Sequence, residues 1–346
     1  MQTYRPESLN EMIGCNDIKD TIRVALSASV KRNDAFPHAL ICGGPGLGKT
    51  TIAKIIAKER KTDFKEFLAN VLKTKTDVKN LLGSLSIEGY DDNGVIKSKI
   101  EPTVVFLDEI HMLDKKVQEA FLQAMEDFTF SADKRNPYTG VISKQAFWVP
   151  RFTLIGATTK MGMLDRAFID RFKLKFDLNP YSEEELVEIA RLHASKFRYP
   201  ADEFSLKAIA IRSRGTARKA LNFLDRAFDT MLSMKTDIID EPVITRTFEL
   251  LRVDSLGLEN IDAQVLKCLY MIYPQKVGIA RLSNTLNIGE VALKDIVEPY
   301  LLRQGLIEAT PSGRMITEKG LLYCEKNGII VKDAAQGATI RRVGHA

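Results

Sequence analysis

Residues 43–50 have the spacing of a loop that binds phosphate. Four residues separate Gly43 from Gly48, and Lys49 and Thr50 follow directly. Glycines at these positions let backbone N–H groups surround phosphate oxygens. The Lys49 ammonium would neutralise the β- and γ-phosphates, and the Thr50 hydroxyl would bind Mg²⁺. The spacing therefore predicts a site for a nucleoside triphosphate and Mg²⁺.

An acidic pair follows four apolar residues further along the chain. Residues 104–107 are Val, Val, Phe and Leu, and Asp108 and Glu109 come next. We expect Asp108 to hold the magnesium ion through water, and Glu109 to orient and polarise the attacking water molecule. Such a pair seen alone could be surface decoration, but its position downstream of the phosphate loop indicates a catalytic role.

Two threonines and two arginines complete the candidate chemistry. Thr158 and Thr159 end another apolar segment, where their hydroxyls could bond the γ-phosphate or the attacking water, or satisfy backbone groups. Arg171 and Arg218 are candidates for cationic stabilisation of the transferred phosphoryl group. An isolated arginine is more often a salt-bridge partner, so the case for these two depends on the order of motifs along the chain.

A parallel sheet is needed to bring these residues together. Up to residue 180, β-branched and aromatic segments alternate with stretches of helical length, a pattern typical of a sheet covered by helices on both faces. The phosphate loop lies between the first segment and the helical stretch TTIAKIIAKE. The segments are HALIC, DFKEFLA, TVVFLDE, RFTLIGATT and LKFDLN. We therefore predict an α/β nucleotide-binding domain over residues 1–180.

Two smaller domains and a tail are predicted to follow. Residues 181–253 read as a small helical domain, and Ser182 followed by Glu185 predicts a capping box on its first helix. Residues 254–331 read as a winged helix, because helical patterns precede two short strands around a Pro-Ser-Gly turn. Residues 332–346 are expected to be a flexible tail.

One helix of the predicted winged region has a distinct apolar face. With a period of 3.6 residues, five apolar side chains fall on the same side of this helix, and Pro299 should kink it. These side chains are Leu293, Ile296, Val297, Tyr300 and Leu301.

Composition adds weaker constraints. The chain has 346 residues and a net charge of +5, which is compatible with a polyanionic partner. Its four cysteines lie far apart, with no CxxC pair to indicate a zinc site or a disulfide framework. No apolar run approaches the roughly 18 residues of a membrane span, and no apolar signal segment is present at the N-terminus. We therefore expect a cytoplasmic protein with no membrane association.

Taken in order, the motifs resemble those of the RuvB family of AAA+ ATPases, whose members drive branch migration of Holliday junctions. The resemblance runs through nearly the whole chain and includes YRPESLNEMIG, GPGLGKTT, FLDEIHML, FTLIGATT, DRF, SRGTARKAL and VEPYLLRQGLIEATPSGR. It implies an AAA+ P-loop ATPase with a parallel sheet core, a small helical lid and a C-terminal winged helix. It also implies ATP and Mg²⁺ as cofactors.

The resemblance assigns roles to matching positions. It implies that Arg218 is the sensor-2 arginine and that Thr158, with Thr159 beside it, is the sensor-1 position. It makes Arg171 an arginine finger that points into the ATP site of the neighbouring subunit, which implies a homohexameric ring. The implied nucleotide contacts come from Tyr4, Arg5, Gly46, Gly48, Lys49, Thr50, Thr51 and Tyr181.

The wing departs from the family pattern. Ala309 and Ser312 stand where the family has arginines, so Arg314 is the remaining candidate for a contact with duplex DNA or a Holliday junction. Removal of a phosphate-binding cation should lower the affinity for DNA and flatten its salt dependence.

Residues 128–150 read as a β-hairpin inserted before the third strand of the sheet, where the family docks its junction-binding partner RuvA. The predicted turn is NPYTG, and Lys134, Arg135 and Lys144 make the tip polar. A solvated loop is the alternative interpretation of this segment. We expect the arm to dock a RuvA-like accessory protein or to touch DNA directly.

The function implied by the resemblance is an ATP-driven ring motor that translocates duplex DNA during branch migration in recombination and repair. A clamp-loader-like or helicase-loading ATPase would share the ATP site and the finger, but would carry a C-terminal helical collar in place of a winged helix. A DNA-binding regulator with an ATPase switch would need base-reading side chains, and the stretch GEVALKDIVEPYLLRQ offers few. The winged-helix pattern favours the motor.

Overall fold

Five parallel strands form the central sheet, as the sequence predicts. The computed structural model describes residues 4–85, 88–90, 96–98, 102–135 and 142–330. The strands are β1 (Ala39–Gly43), β2 (Phe64–Leu68), β3 (Glu88–Tyr90), β4 (Ile96–Ser98), β5 (Thr103–Asp108), β6 (Thr129–Arg135), β7 (Ile142–Trp148), β8 (Phe152–Thr158), β9 (Leu174–Leu178), β10 (Ile307–Thr310) and β11 (Gly313–Ile316). The central sheet has the order β2–β5–β8–β1–β9, with neighbouring strands parallel.

Helices cover both faces of this sheet. Across the described residues of both units, the helices are α1 (Asn16–Arg32), α2 (Lys49–Arg60), α3 (Lys75–Gly83), α4 (Lys115–Asp127), α5 (Arg166–Asp170), α6 (Glu183–Phe197), α7 (Glu203–Arg212), α8 (Ala217–Met234), α9 (Glu241–Leu251), α10 (Asn260–Ile272), α11 (Ile279–Leu286), α12 (Glu290–Ala292), α13 (Glu298–Arg303) and α14 (Glu318–Lys326), and those that cover the sheet are α1–α5. Alternate side chains of a strand point to opposite faces. Accordingly, Leu40 packs with α3, α4 and α5, whereas Ile41 packs with α1 and α2.

The strand order brings the candidate residues to one edge of the sheet. In the sheet, β1 lies between β8 and β9, and β5 lies on the other side of β8. Because all five strands are parallel, the carboxyl ends of β1, β5 and β8 meet at the same edge, which is where open α/β sheets bind ligands. Gly43, Asp108 and Thr158 are the last residues of these strands.

The chain divides into two compact units. The first contains residues 1–229 and 236–239, and the second contains residues 230–235 together with the rest of the chain from 240 onward. The capping box predicted at the start of α6 is confirmed: the Ser182 hydroxyl accepts from the Glu185 N–H, and the Glu185 carboxylate accepts from the Ser182 N–H. The domain boundaries predicted at 180/181 and 253/254 stay predictions.

The second unit contains the predicted winged helix. Its β10 and β11 form an antiparallel hairpin, and its core includes Leu293, Val297 and Leu301. Ile296, which the sequence predicts on the same helix face, does not share their burial and is 67% exposed. A π-helical turn, Leu293–Val297, precedes Pro299. A π-helical turn contains more residues than an α-helical turn, so it rotates Ile296 away from the face that a regular period of 3.6 residues assigns to it.

The predicted inserted hairpin is confirmed in its strands. β6 and β7 pair antiparallel, from Thr129 opposite Trp148 to Arg135 opposite Ile142. The predicted NPYTG turn and the side chains of Lys134, Arg135 and Lys144 lie outside the described part, as does the predicted tail at 332–346. Within the described residues, no helix is long and apolar enough to cross a membrane.

Candidate nucleotide site

A cavity of about 660 Å³ opens at the carboxyl edge of the sheet, within the first compact unit. Its volume falls in the range of small-molecule and cofactor sites. The loop after β1, the end of β5, the N-terminal segment and helix α8 all contribute to its walls. The predicted site residues that line it are Tyr4, Arg5, Gly46, Gly48, Lys49, Thr50, Thr51, Asp108, Glu109, Tyr181 and Arg218.

The loop before α2 is shaped to hold an anion. Gly46 has φ +80° and Gly48 has φ +97°, conformations that favour glycine. A Cβ on Gly46 would lie 2.9 Å from Cβ of Arg218, so the backbone there approaches the lid too closely for a side chain. Gly48 is also the N-cap of α2 and has no side chain to accept from the first N–H groups of the helix. These donors are therefore available to phosphate oxygens.

Lys49 brings a positive charge into this loop. Its side chain is 7% exposed, and Nζ donates to the carbonyl oxygens of Gly43 and Gly44 at 2.9 Å each. Burial lowers the pKa of Lys49, and the carboxylates of Glu109 and Asp108 oppose that shift. The ammonium is thus held beside the loop backbone and close to the acidic pair, as binding of a phosphate chain requires.

The acidic pair belongs to a polar network across β5 and β8. Glu109 has φ +50°, a rare backbone conformation for a side chain of this size, and its Oε2 lies 3.4 Å from Oγ1 of Thr159. His111 connects the two strands, with Nδ1 3.2 Å from Glu109 Oε2 and 3.0 Å from Oγ1 of the buried Thr158. His111 is not among the residues predicted from the sequence. Its position two residues after Glu109, together with the adjacency of β5 and β8, is the signal that could have found it.

The two candidate arginines occupy different environments. Arg218 lines the cavity. Arg171 lies outside the residues that line the cavity, is 42% exposed at its side chain, and pairs with Glu126 at 2.8 Å. An exposed arginine outside the cavity lining of its own chain is compatible with a role in a neighbouring site, but that role stays a prediction.

Tyr181 joins the lid to the phosphate loop. Its N–H donates to the Gly215 carbonyl at 2.9 Å, and its hydroxyl donates to the Leu47 carbonyl at 3.2 Å. Burial raises the pKa of the Tyr181 hydroxyl, so it remains a hydrogen-bond donor at physiological pH. The end of the sheet and the start of the lid are therefore tied to the phosphate loop at residues 46–48.

The wing places Arg314 in an ion pair. Its Nε and Nη2 bind the two carboxylate oxygens of Glu298 at 2.5 and 3.1 Å, and both side chains are largely buried, at 16% and 7% exposed. On the wing, Ala309 lies opposite Arg314 in the hairpin, and the Ser312 hydroxyl bonds that of Thr310 at 2.9 Å. The predicted DNA contact of Arg314 stays a prediction.

The chain matches models of one known protein family along most of its length. Three family models match consecutive parts of the chain: the Holliday junction DNA helicase RuvB P-loop domain over residues 4–178, the RuvB AAA lid domain over 181–254 and the RuvB C-terminal winged helix domain over 255–325. The chain belongs to the RuvB family. It is accordingly a P-loop ATPase with a parallel sheet core, a helical lid and a winged helix, as the sequence predicts.

Relatives from several bacteria resemble the chain along nearly its whole length. The Holliday junction branch migration complex subunit RuvB of Campylobacter hominis is 35% identical over 97% of this chain and 93% of the relative. The corresponding subunit of Thermotoga maritima is 35% identical over 92% of this chain and 91% of its own. The solved structure of the Thermotoga maritima RuvB branch migration motor has a TM-score of 0.78 at 34% identity, covering 93% of this chain and 98% of that chain.

Proposed function

We propose that this RuvB-family chain is an ATP-driven ring motor that translocates duplex DNA and so drives branch migration of Holliday junctions in recombination and repair. The proposal rests on one observation: the same chain contains a phosphate loop beside an acidic pair and, in its second unit, a winged helix. Relatives that match more than nine-tenths of this chain are named branch migration complex subunits. A clamp loader or helicase loader would need a helical collar where this chain has its β10–β11 hairpin.

The cavity fits ATP with Mg²⁺. Backbone N–H groups of residues 46–50 and the Lys49 ammonium would hold the phosphates. The Thr50 hydroxyl and the Asp108 carboxylate supply oxygen donors of the kind Mg²⁺ takes, and the ion would supply charge neutralisation at the phosphates. Glu109 would orient the attacking water, with Thr158 and Thr159 on the adjacent strand end and Arg218 on the lid.

Ring formation would complete the site. Arg171 is exposed and separate from the cavity of its own chain, so in a homohexamer it would reach the phosphates bound by the adjacent subunit. To do so it has to leave or share Glu126, its partner in the isolated chain. Hydrolysis would then depend on the position of the neighbour, which couples the chemistry to motion of the ring.

Each subunit would bind DNA with low affinity, and the ring as a whole would bind it with high affinity. Nε and Nη2 of Arg314 bind Glu298, so Nη1 would be the group that donates to a phosphate oxygen. Repetition of a weak contact around a hexamer raises the overall affinity through effective concentration. The β6–β7 arm would dock a RuvA-like protein or touch DNA, and action on bacterial junctions would place the protein in the cytoplasm.

The decisive test is ATP-dependent migration of a synthetic four-way junction, with and without a RuvA protein. We expect the wild type to migrate the junction and Glu109→Gln and Arg171→Ala to fail. Arg151→Ala is a matched control, because this arginine pairs with Asp34 at the amino end of β8, away from the nucleotide edge. Migration that persists in either site variant refutes the proposed mechanism.

Mixed rings test the finger directly. Lys49→Ala and Arg171→Ala subunits should each be inactive alone, because one lacks a phosphate contact and the other lacks the finger. When mixed, some sites combine an intact Lys49 with an intact Arg171 from the neighbour, so hydrolysis should partly recover. No recovery in rings that are shown to contain both subunits would exclude a finger supplied by the adjacent chain.

A further inference from the structure

Helix α8 runs along the nucleotide cavity from the phosphate loop to its far end. Arg218, Leu221, Asn222 and Asp225 all line the cavity, at the i, i+3, i+4 and i+7 positions of one helix face. Cβ of Arg218 is close to the phosphate loop at Gly46. With a rise of 1.5 Å per residue, Asp225 lies about 10 Å further along the helix axis. Asp225 therefore lines the cavity well away from the phosphate loop, and with the phosphates held at that loop the base is the part of a nucleotide that we expect to reach its carboxylate.

Asp225 is held in one orientation by buried neighbours. Its Oδ1 lies 3.1 Å from Nε2 of His193, which is fully buried, and the Tyr199 hydroxyl also bonds the carboxylate. Nδ1 of His193 accepts from the Tyr4 N–H at 3.3 Å, so the ring proton is on Nε2 and donates to Asp225. Burial lowers the pKa of His193, which keeps the ring neutral with this arrangement of protons.

The chemistry of this group is that of an acceptor. A carboxylate offers about four lone-pair positions and no donor. His193 and Tyr199 use two of them, and Asp225 also lines the cavity, so acceptor capacity remains for a ligand. Tyr4, the residue whose backbone fixes His193, lines the same cavity.

We propose that Asp225 determines the base specificity of the nucleotide site, by accepting a hydrogen bond from the exocyclic amino group of adenine. His193 is a positioning residue that fixes the carboxylate. A base with a carbonyl oxygen at the same position would place two acceptors against each other. The inference rests on the proposed ATPase function, since it names the part of the nucleotide that this end of the cavity reads.

Asp225→Asn should change the base preference in a specific direction. His193 donates to the residue at position 225, so it would bind the amide oxygen of asparagine and leave the NH₂ group directed at the cavity. That donor suits a carbonyl oxygen and opposes an amino group. A buried group left without its partner costs roughly tenfold to a hundredfold in binding. The variant should therefore lose the preference for adenine over hypoxanthine, or reverse it.

The experiment measures binding of ADP, IDP and purine riboside diphosphate to the full-length chain, by competition with ADP that carries a fluorescent label on the ribose. We expect the wild type to bind ADP about tenfold or more tightly than IDP, with the compound lacking the amino group in between. The ratio of the ADP and IDP affinities should fall by about tenfold or more in Asp225→Asn and should also fall in His193→Ala. Asp229→Asn is the matched control, because Asp229 lies one turn further along α8, pairs with Arg226 and is outside the cavity lining.

The possible results separate the base contact from the function that underlies it. An unchanged ADP-to-IDP ratio in folded Asp225→Asn overturns the inference. With 2′-deoxy-ADP measured as a further competitor, a change in that variant confined to the preference for ADP over 2′-deoxy-ADP would indicate a ribose contact and also overturns it. Equal binding of the three ligands by the wild type overturns the inference without any variant. A wild type that binds no adenine nucleotide overturns the proposed function itself, whereas normal ATP binding with unaltered base preference in Asp225→Asn overturns only the role of Asp225.

Discussion

The nucleotide cavity and the wing hold their charges in opposite ways. In the cavity, Lys49 and the acidic pair face a space of about 660 Å³, and the Lys49 ammonium donates to loop carbonyls. In the wing, Arg314 is largely buried against Glu298 in a two-point ion pair. The charges of the cavity can therefore interact with a ligand, whereas the charge of Arg314 is used in an ion pair within the fold.

This difference agrees with the roles that we propose for the two regions. Transfer of a phosphoryl group depends on a few groups at fixed positions, because a small displacement of any of them is costly. Binding of duplex DNA without sequence readout adds up many phosphate contacts, so no single one is essential. The chain accordingly keeps the phosphate-loop residues, while its wing carries Ala309 and Ser312 on exposed positions.

The largest effect is expected at Glu109. Glu109→Gln removes the carboxylate that we propose as the group orienting and polarising the attacking water, and general-base catalysis contributes roughly a hundredfold to ten-thousandfold. We expect kcat for ATP hydrolysis to fall by at least about a hundredfold while ADP binding changes little. Glu119→Gln, an exposed residue of α4 that pairs with Lys75, is the control. Hydrolysis within about tenfold of the wild type would remove the basis for calling the cavity the catalytic region.

The ion pair of the wing should be measurable as stability. Glu298→Ala leaves the Arg314 guanidinium largely buried without its partner, which costs about 3 kcal/mol of unfolding free energy. Urea denaturation followed by hydrogen exchange at β10 and β11 measures this loss, with Glu308→Ala on the exposed part of β10 as control. ATP hydrolysis in the absence of DNA should be unaffected. If the wing keeps its stability, Arg314 is available to DNA without cost and the contrast with the cavity disappears.

The sequence predicted the elements of the nucleotide site because a motif with fixed spacing determines local backbone geometry. Gly46, Gly48 and Lys49 need only the loop and helix that contain them, and Asp108 needs only the end of a buried strand. Interactions that depend on packing between distant segments were missed. His111 reaches Thr158 across two strands, and Arg314 meets Glu298 from 16 residues away.

The wrong assignment of Ile296 has a different physical cause. A periodicity of 3.6 residues per turn holds only for a regular helix, and a local π-helical turn breaks it. Pro299 was predicted to disturb the helix, but the sequence does not show whether the disturbance becomes a kink or a wider turn. Four of the five predicted side chains are nevertheless buried: Leu293, Val297, Tyr300 and Leu301.

Acid should weaken the first compact unit through His38. This buried ring accepts from the Leu154 N–H at Nδ1 and lies 3.3 Å from the Met125 carbonyl at Nε2, and burial lowers its pKa from 6.5 to about 4. The unfolded chain takes up the proton first, so the stability from this group is complete above pH 6.5 and falls as the pH drops towards 4. The loss from this group is about 3 kcal/mol.

Chemical denaturation between about pH 7.5 and 4.5 tests this dependence. His38→Asn should lower stability at neutral pH and flatten the decline, because asparagine does not titrate. Of the four histidines, His345 alone belongs to the second unit, and it lies outside the described residues. Protection from hydrogen exchange in α10 and α14 should therefore depend less steeply on pH than protection in β1 and β8. An equal decline in both units would show that other groups govern the response to acid.

A smaller effect is expected at His111. This ring touches both Glu109 and Thr158, so it would hold the carboxylate in place without contacting the nucleotide itself. His111→Ala should lower kcat by about tenfold, as expected for loss of one hydrogen-bonded support, and leave KM within a factor of about three. His111→Gln, which retains a hydrogen-bonding end, should recover part of the rate. A change in KM alone would point to a binding role instead.

The smallest effect, and the sharpest test of the contrast, is at Ala309. Ala309→Arg and Ser312→Arg add cations at exposed wing positions without removing the Arg314–Glu298 pair. If the wing grips phosphates additively, each substitution steepens the slope of log K against log salt by about 0.9 for duplex DNA. Fluorescence anisotropy over a range of salt concentrations measures that slope, and Glu308→Gln, which removes a negative charge from the same strand, controls for net charge.

Because additive contacts are interchangeable, the two arginine variants should have similar slopes. In the cavity, by contrast, no other residue at position 49 should replace Lys49. A slope that stays unchanged in both arginine variants would mean that the wing does not face DNA in this protein.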